Sequence, residues 1–538
     1  MKKDTFVRQA SFLMAAGLIV RFIGLIYRPL MKANIGELGY AYYGYAYNVY
    51  FILLLVSGYS IPVAVSKLMS ERLAREQYKN AMQIFKGSLL YILIAGGLAA
   101  SVAFFFPNAL LPKGGGGAAL ALKVLAPTIL FSGILGVLRG YFQAHGNMMP
   151  TAMSQVLESI ANALVAILMG KYFITKYAHT KAEKAVYGAA GSTLGPGAGI
   201  VIGIIFMLCV FRFNKVYIDR KLRKDRTKET ESYGDTMRVI LFMLTPVIFS
   251  TFAYNFIGYL DQTLFAPLMM AKSGLTGPKT AMLFNQFNGM YNVLVRIPMA
   301  FADASSTALI PVITASYALK DFGDVRSKIN KGIRMTMMIA VPSVAGLSVL
   351  AYPATELLFG AGNEIASRML LLGSTVVIFI SLSTITTGIL QGIGRPTVPL
   401  HNAIIATVIH ALLLVVFVRF TPAGVYALLI TYLIYTVTIC ALNVHSLKTF
   451  IDFKIDFKGA FKAPVLASAV MSAAVGGVYF GLHKAVRHPS LLFIAAVAIG
   501  IFVYLVAVVK ISGMTEEEIR SLPRGHRLAG FLVKIHVL

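Results

Sequence analysis

Three arginines sit where a charge is expensive. Arg21, Arg28 and Arg296 each fall inside a long apolar run. A guanidinium at mid-bilayer costs about 2.5–3.5 kcal/mol even on the permissive insertion scale. Each therefore needs an opposite charge, an aqueous cavity or a route to the headgroups. Arg21 and Arg28 are seven residues apart, so on a helix they share a face, about 10.5 Å apart along the axis. Arg21 is near the middle of its run and calls for a cavity or a structural ion pair. Arg28 is closer to the outer end and could instead snorkel. Arg296 is followed by Pro298 and, seven residues on, by Asp303. Either Asp303 neutralises it, or a kink at the proline separates them and leaves the cation facing a cavity. Two more carboxylates stand out. Asp261, near the end of its run, could hold a cation or be a solvated loop-end residue. Glu158 could partner an arginine. Six tyrosines between Tyr40 and Tyr50 read as an outer aromatic belt, or else as a platform for stacking sugars.

The elements that must hold these residues are membrane spans. The chain has 538 residues, 57% of them apolar, with mean hydropathy +0.74 and only 13% charged. A soluble chain would carry roughly 25% charge. Cys209 and Cys440 lie in apolar stretches, which argues against a disulfide framework or a thiolate metal site. The first apolar stretch is too long for a signal peptide and is read as an uncleaved span.

A bilayer core of about 30 Å takes around 20 helical residues. Fourteen spans are predicted, near 9–31, 40–66, 84–106, 118–142, 150–170, 186–211, 237–261, 280–317, 335–352, 369–392, 397–418, 423–446, 463–482 and 490–511. With the N-terminus inside, 33 of the 49 basic residues fall on the inner side and 13 on the outer, leaving Arg21, Arg28 and Arg296 within spans. That bias satisfies the positive-inside rule and puts both termini in the cytoplasm. It accounts for most of the formal charge of +27 without nucleic acid. The loop 171–184, with Lys171, Lys176, Lys181 and Lys184, dissents. The tail from Thr515 reads as a surface helix opened by a Thr515-x-x-Glu518 capping box.

The chain also repeats itself. Phe22-Ile23-Gly24 returns as Phe256-Ile257-Gly258, Tyr47-Asn48-Val49 as Tyr291-Asn292-Val293, and Lys86-Gly87 as Lys331-Gly332. Gly140-x-x-Gln143-x-x-Gly146 returns as Gly388-x-x-Gln391-x-x-Gly394. The order is kept while the offset grows slowly. A six-span unit is even, so both copies cross in the same sense, and repeat transporters of this kind hold substrate near the midplane. In the repeat, Arg21 aligns with Asn255, Arg28 with Gln262 and Arg296 with Ile52. The expected organisation is an N-lobe at 1–212, a basic cytoplasmic linker at 213–236 and a C-lobe at 237–447. Two spans outside the repeat follow at 448–512, then a cytoplasmic tail at 513–538.

A twelve-helix parallel repeat with two extra helices resembles the MOP exporter superfamily. Arg139-Gly140-Tyr141-Phe142-Gln143, followed by Pro150-Thr151-x-x-Ser154-Gln155-x-x-Glu158, resembles its polysaccharide-export branch and the MurJ/SpoVB-type lipid II flippases. The resemblance implies a V-shaped pair of lobes with a central cationic cavity and a lipid-tail groove formed with the last two helices. It implies that Arg21, Arg28 and Arg296 bind a substrate pyrophosphate. Guanidinium suits that role because it is always charged and forks two hydrogen bonds onto phosphate. In this family a carboxylate such as Asp261 could couple transport to an ion. Arg21-x-x-Gly24-x-x-x-Arg28 has one residue more than expected of proteobacterial members, and Arg296 comes about one turn late.

The expectation is thus a flippase moving a lipid-linked, pyrophosphate-bearing cell-wall precursor, lipid II first among them, across a bacterial plasma membrane by alternating access. It would need no cofactor, with the membrane potential or a monovalent cation as drive, and would work as a monomer. The alternatives are a flippase for another lipid-linked oligosaccharide and a drug/cation antiporter, which should present carboxylates in its first lobe. An enzyme would gather acids or histidines in a sizeable loop, yet the longest outer loop holds only Glu183 and His179.

Overall fold

The computed structural model describes residues 3–58, 61–215, 220, 223, 225, 231–483, 485, 489–512 and 530. Within them every long element is helical. The first group is α1 (Lys3–Ser57), α2 (Ile61–Ala74), α3 (Tyr78–Phe105), α4 (Pro107–Leu110), α5 (Ala119–Ala144), α6 (Met149–Tyr177), α7 (Lys181–Ser192) and α8 (Leu194–Phe213). After the linker come α9 (Tyr233–Ser273), α10 (Gly277–Asn285), a π-helical turn (Gln286–Tyr291) and α11 (Asn292–Ala318). Then follow α12 (Phe322–Val349), α13 (Ala351–Phe359), α14 (Glu364–Gly373), α15 (Val376–Gly392) and α16 (Thr397–Phe420). The last three are α17 (Tyr426–Ile451), α18 (Phe457–Leu482) and α19 (Pro489–Ser512). Most of the linker from 216 to 230, and the tail with its Thr515-x-x-Glu518 motif, lie outside the described residues.

Length alone shows how these helices meet a bilayer. α1 has 55 residues, about 80 Å at helical rise, against a hydrocarbon core of about 30 Å. It is two helices joined at Gly36, whose φ of 77° and ψ of 171° are non-helical. A positive φ is open to glycine without a Cβ penalty. The bend separates the first two predicted spans. Among the described residues nine helical stretches are long and apolar enough to cross a membrane, and α14 with α15, bent by 56°, makes a tenth. The predicted runs fall on these helices, some across a break: 40–66 takes in the end of α1 and the start of α2, 186–211 the junction of α7 and α8, and 369–392 both α14 and α15. Large apolar side chains stay exposed along these helices, as with Ile404, Val408 and Leu412 on α16 and Leu491, Ile494 and Ile501 on α19. Water would penalise that surface and lipid does not. The protein is an all-helical polytopic membrane protein.

Packing divides the chain into two compact units, Met1–Gly289 with Ala411–Val425 and Met290–His410 with Tyr426–Leu538. In the first, α2, α3, α5, α8 and the start of α9 share an apolar cluster around Val65, Ile92, Leu138, Tyr141 and Met207. Gly191, Gly195 and Gly199, four residues apart, form a stripe along α7 and α8. A Cβ on any of them would collide with α6 at the carbonyl oxygens of Met169, Asn162 or Glu158. Such small-residue spacing lets membrane helices pack backbone to backbone. In the second unit, the helices outside the repeat dock on α12. Ala467, Met471, Val475, Ala496, Tyr504 and Val508 pack with Leu350, and the Tyr504 hydroxyl donates to the Met338 carbonyl at 2.7 Å.

The repeat is written into backbone geometry. Gly146 and Gly394 have φ of 73° and 76°. Gly146 N–H donates to Gln143 O and Asn147 N–H to Phe142 O, at 2.9 and 3.0 Å. Gly394 N–H donates to Gln391 O and Arg395 N–H to Leu390 O, at 3.1 and 2.9 Å. Both α5 and α15 thus end in the same double-bonded left-handed cap. One helical turn and a half earlier, Gly140 admits Pro62 and Val65, and Gly388 admits Ser306 and Ile310. A Cβ at the two caps costs about 1–2 kcal/mol each. Gly146→Ala and Gly394→Ala should therefore lower the stability of the detergent-solubilised protein by similar amounts of about that size. Denaturant unfolding measures it, and a loss confined to one site would break the equivalence.

Candidate functional site

The bend at Gly36 decides the surroundings of the first arginines. α1 packs against α3, α5, α6, α7, α9 and α10, and its tyrosines are covered. Tyr40, Tyr42, Tyr43, Tyr45 and Tyr50 are all buried. Tyr40, Tyr43, Tyr47 and Tyr50 form a ladder with ring centroids 6.4, 5.8 and 5.6 Å apart, and the Tyr40 hydroxyl donates to Gly289 O at 3.0 Å. This corrects both readings of the tyrosine cluster. It is neither an outer belt nor an open sugar platform, because five of its six tyrosines are buried against neighbouring helices.

Arg28 lies in this aromatic surround. Its electrostatic neighbours are Tyr27, Tyr40, Tyr43 and Tyr47, and its Nε is buried without a hydrogen-bond partner. Neutral phenols nearby make the surroundings less hostile to a cation than hydrocarbon without neutralising it. Arg21, one heptad earlier, is exposed. The two cations on one helix thus occupy different environments.

A third cation escaped the sequence reading. Lys32 was counted with the outer loop, but it lies inside α1 and is only 8% exposed. Glu37 is its electrostatic neighbour. The signal was available in the spacing, since Lys32 follows Arg28 by four residues and Arg21 by eleven, along one face. The span had been ended one residue too soon.

Asp261 is 2% exposed and lies twelve residues before the end of α9. The solvated loop-end reading is therefore corrected: the helix continues well past the predicted limit. Beside it in sequence, Gln262 is fully buried. Gln262 Nε2 donates to Tyr45 O at 3.3 Å, Asn48 Nδ2 donates to Gln262 Oε1 at 2.8 Å, and Asn288 Nδ2 to Asn48 Oδ1 at 3.4 Å. Asn288 comes from the π-helical turn, a distortion often found where side chains are re-aimed for function.

Glu158 pairs with Arg139. The guanidinium of Arg139 on α5 lies 2.6 Å from Glu158 Oε2 on α6, with side-chain exposures of 14% and 29%. Arg139 Nε also donates to Ser154 Oγ at 2.9 Å, and Ser154 passes a bond to Thr151 O at 2.8 Å. The Arg-Gly-Tyr-Phe-Gln and Pro-Thr-x-x-Ser-Gln-x-x-Glu motifs are thus two halves of one clip between neighbouring helices. The glycine stripe of α7 and α8 backs α6 at the Glu158 carbonyl.

In the second unit, Arg296 and Asp303 both lie on α11 and are exposed. Seven residues put about 10.5 Å of helix axis between them, and no ion pair joins these two described residues. Nearby polar side chains were not singled out from sequence. Asn443 on α17 donates to Thr386 Oγ1 and Thr387 Oγ1 at 3.2 and 3.0 Å, and Asn402 donates to Asn443 Oδ1 at 2.9 Å. Thr387 occupies the repeat position of Arg139, so a neutral amide network stands where the first unit has a charged clip.

Comparison with known proteins gives a consistent picture. The profile of the family described as polysaccharide biosynthesis protein matches residues 6–317. The chain is 26% identical over 433 residues to the lipid II flippase MurJ of Bacillus subtilis (strain 168), covering 77% of this chain and 78% of that one. It is 27% identical over 372 residues to stage V sporulation protein B of the same organism, covering 68% of each. Among solved structures, lipid II flippase MurJ in an inward closed conformation superposes with a TM-score of 0.66 at 18% identity, over 93% of this chain and 98% of that one. An inward-facing multidrug resistance MATE family transporter of the MOP superfamily gives 0.65 at 14% identity, over 83% and 98%. Both solved structures share the fold.

The clip yields a direct test. Removing one partner of a part-buried pair strands the other, at about 2 kcal/mol. Glu158→Gln and Arg139→Gln should each lower the unfolding midpoint of the purified protein, while the double variant should lose less than the two single losses added together. Strict additivity in this double-mutant cycle would mean the two side chains do not act as a pair.

Proposed function

The chain belongs to the polysaccharide biosynthesis protein family, and from that premise we propose that it is a flippase for a lipid-linked, pyrophosphate-bearing saccharide, lipid II first among them. The observation that carries this reading is the charge on α1. From Thr5 to Gly36 the helix holds Arg8, Arg21, Arg28 and Lys32 and no acid. Each cation in an apolar helix costs free energy that an anionic cargo recovers. Arg21, Arg28 and Arg296 are assigned to the pyrophosphate, with guanidinium forks bonding pairs of phosphate oxygens. Lys32 adds a point charge to the same helix face. Movement is from the inner to the outer leaflet of a bacterial plasma membrane by alternating access, with both termini cytoplasmic. Residues 1–212 and 237–447 serve as the two repeat lobes, 213–236 as their linker and 448–512 as the extra spans.

Export of negative charge from an inside-negative cell is downhill by about 2.3 kcal/mol per charge per 100 mV. The membrane potential therefore supplies a drive, and Asp261, a buried acid in α9, is the residue we assign to a coupling cation should one take part. Asp303 and Glu158 are assigned to charge pairing. No chemical step is involved: the protein is a transporter rather than an enzyme, needs no cofactor or nucleic acid, and works as a monomer. A drug/cation antiporter would need acids where α1 places Arg21, Arg28 and Lys32, so the fold shared with the MATE transporter does not favour that activity here.

The test is lipid II exposure on the outer face of cells depleted of their own flippase and supplied with this protein. Exposure should be restored by the unaltered chain. It should fall about tenfold to a hundredfold in Arg21→Ala and in Arg296→Ala at equal membrane abundance, as expected for losing one charge-assisted phosphate contact. Full activity in either variant sinks the assignment of that residue. No restoration, with the protein present in the membrane, moves the substrate to another lipid-linked oligosaccharide.

A further inference from the structure

The lysine-rich stretch 171–184 breaks the charge rule that every other loop obeys, and its structure supplies a reason. α6 has 29 residues, about 44 Å of helix, so its ends project beyond a hydrocarbon core of about 30 Å. The projecting end is amphipathic. Lys171, Tyr172, Lys176 and Tyr177 are all exposed there. The Lys176 ammonium stands 5.3 and 5.4 Å from the ring centroids of Tyr172 and Tyr177 and donates to the Tyr172 hydroxyl at 2.9 Å. Phe173 and Tyr177 are in ring contact at 5.4 Å, and Tyr177 meets Tyr187 of α7 at 5.7 Å. That last contact ties the two helices together, so Lys181 and Lys184, both exposed at the start of α7, are returned beside the end of α6.

The stretch contains one acid, Glu183, and it is spent on the backbone. Its carboxylate accepts from the N–H groups of His179 and Thr180 at 2.7 and 3.1 Å, closing a capping box with Thr180. Its oxygens are held by the backbone and no ion pair to the four lysines is made, and against its single negative charge the lysines leave the stretch with a net charge of +3. Aromatic rings and protruding lysines with a net positive charge, at a helix end that outruns the hydrocarbon core, are complementary to a phosphate-bearing lipid head.

We propose that the end of α6 and the start of α7 form a docking surface for an anionic phospholipid, with Lys171, Lys176, Lys181 and Lys184 contacting its phosphate and the tyrosines seated among the glycerol backbones. The surface lies on the outer side in the orientation set by the basic loops, and it is independent of the substrate carried.

The chain has no tryptophan, so Thr175→Trp, at an exposed position of α6, places a single indole beside the patch. The full-length protein is reconstituted in phosphatidylcholine vesicles containing a minor fraction of brominated phosphatidylglycerol or of brominated phosphatidylcholine. Brominated phosphatidylglycerol should quench the indole more strongly. The excess should fall at least about fivefold, one lysine's attraction to an anionic surface, when all four lysines become glutamine, and should survive their replacement by arginine. Equal quenching by the two lipids overturns the proposal, as does an excess that persists in the glutamine variant. If soluble poly(glycerol phosphate) abolishes the excess at a phosphate concentration below that of the lipid, the surface belongs to an anionic wall polymer and the lipid assignment fails.

Discussion

A cation in an apolar helix has to be compensated, and most of what distinguishes this chain follows from how it does so. Arg21, Arg28 and Lys32 share one helix of 55 residues. At about 2.5–3.5 kcal/mol apiece in hydrocarbon, their combined cost would rival the whole stability of an ordinary domain. The molecule lowers that cost by local means. The bend at Gly36 separates the cationic half of α1 from its tyrosine-rich half, and four tyrosines are the electrostatic neighbours of Arg28. Phenols neither neutralise the guanidinium nor leave it in hydrocarbon. An acid in the same place would have been cheaper to fold and would have cancelled the charge.

The two repeats show which parts of the sequence answer to folding and which to charge. Gly146 and Gly394 close their helices with matching hydrogen bonds, and Gly140 and Gly388 admit equivalent neighbours. At these positions the fold has no alternative to glycine, so the pattern repeats. Charged positions diverge. Arg28 aligns with Gln262, which is buried and bonded to Asn48 and the Tyr45 backbone. Arg139, clipped to Glu158, aligns with Thr387, held by Asn443. At these two positions the first copy carries arginines and the second neutral side chains, whereas Arg296 of the second copy aligns with the apolar Ile52 of the first. A parallel repeat can be asymmetric in charge because its helix ends and crossings do not depend on these residues.

Much of this was legible in the sequence. Apolar run length gave the helices, and short glycine-containing matches gave the repeat. Boundaries were less legible, and two boundary errors had consequences. Ending the first span at 31 put Lys32 outside, and ending the seventh at 261 made Asp261 look solvated, whereas α1 and α9 continue past both points. Hydropathy cannot detect a helix that carries polar residues onward at low exposure. The tyrosine cluster failed for a related reason. Tyrosine is as much at home at a bilayer interface as in a packed interior, and only the helices packed around α1 decide between them.

The Arg139–Glu158 pair shows how a family motif can be read physically. Its residues looked like a signature without a role until the structure joined them across α5 and α6. Glu158 is then the reason that Arg139 adds no free cation to its helix, and Arg139 the reason that Glu158 adds no free anion. On α1 the stretch from Thr5 to Gly36 holds cations and no acid of its own, and Glu37, just past the bend, is the electrostatic neighbour of Lys32. The contrast matters because both helices belong to one compact unit. Where the fold needs a strong tether it places both signs of charge together.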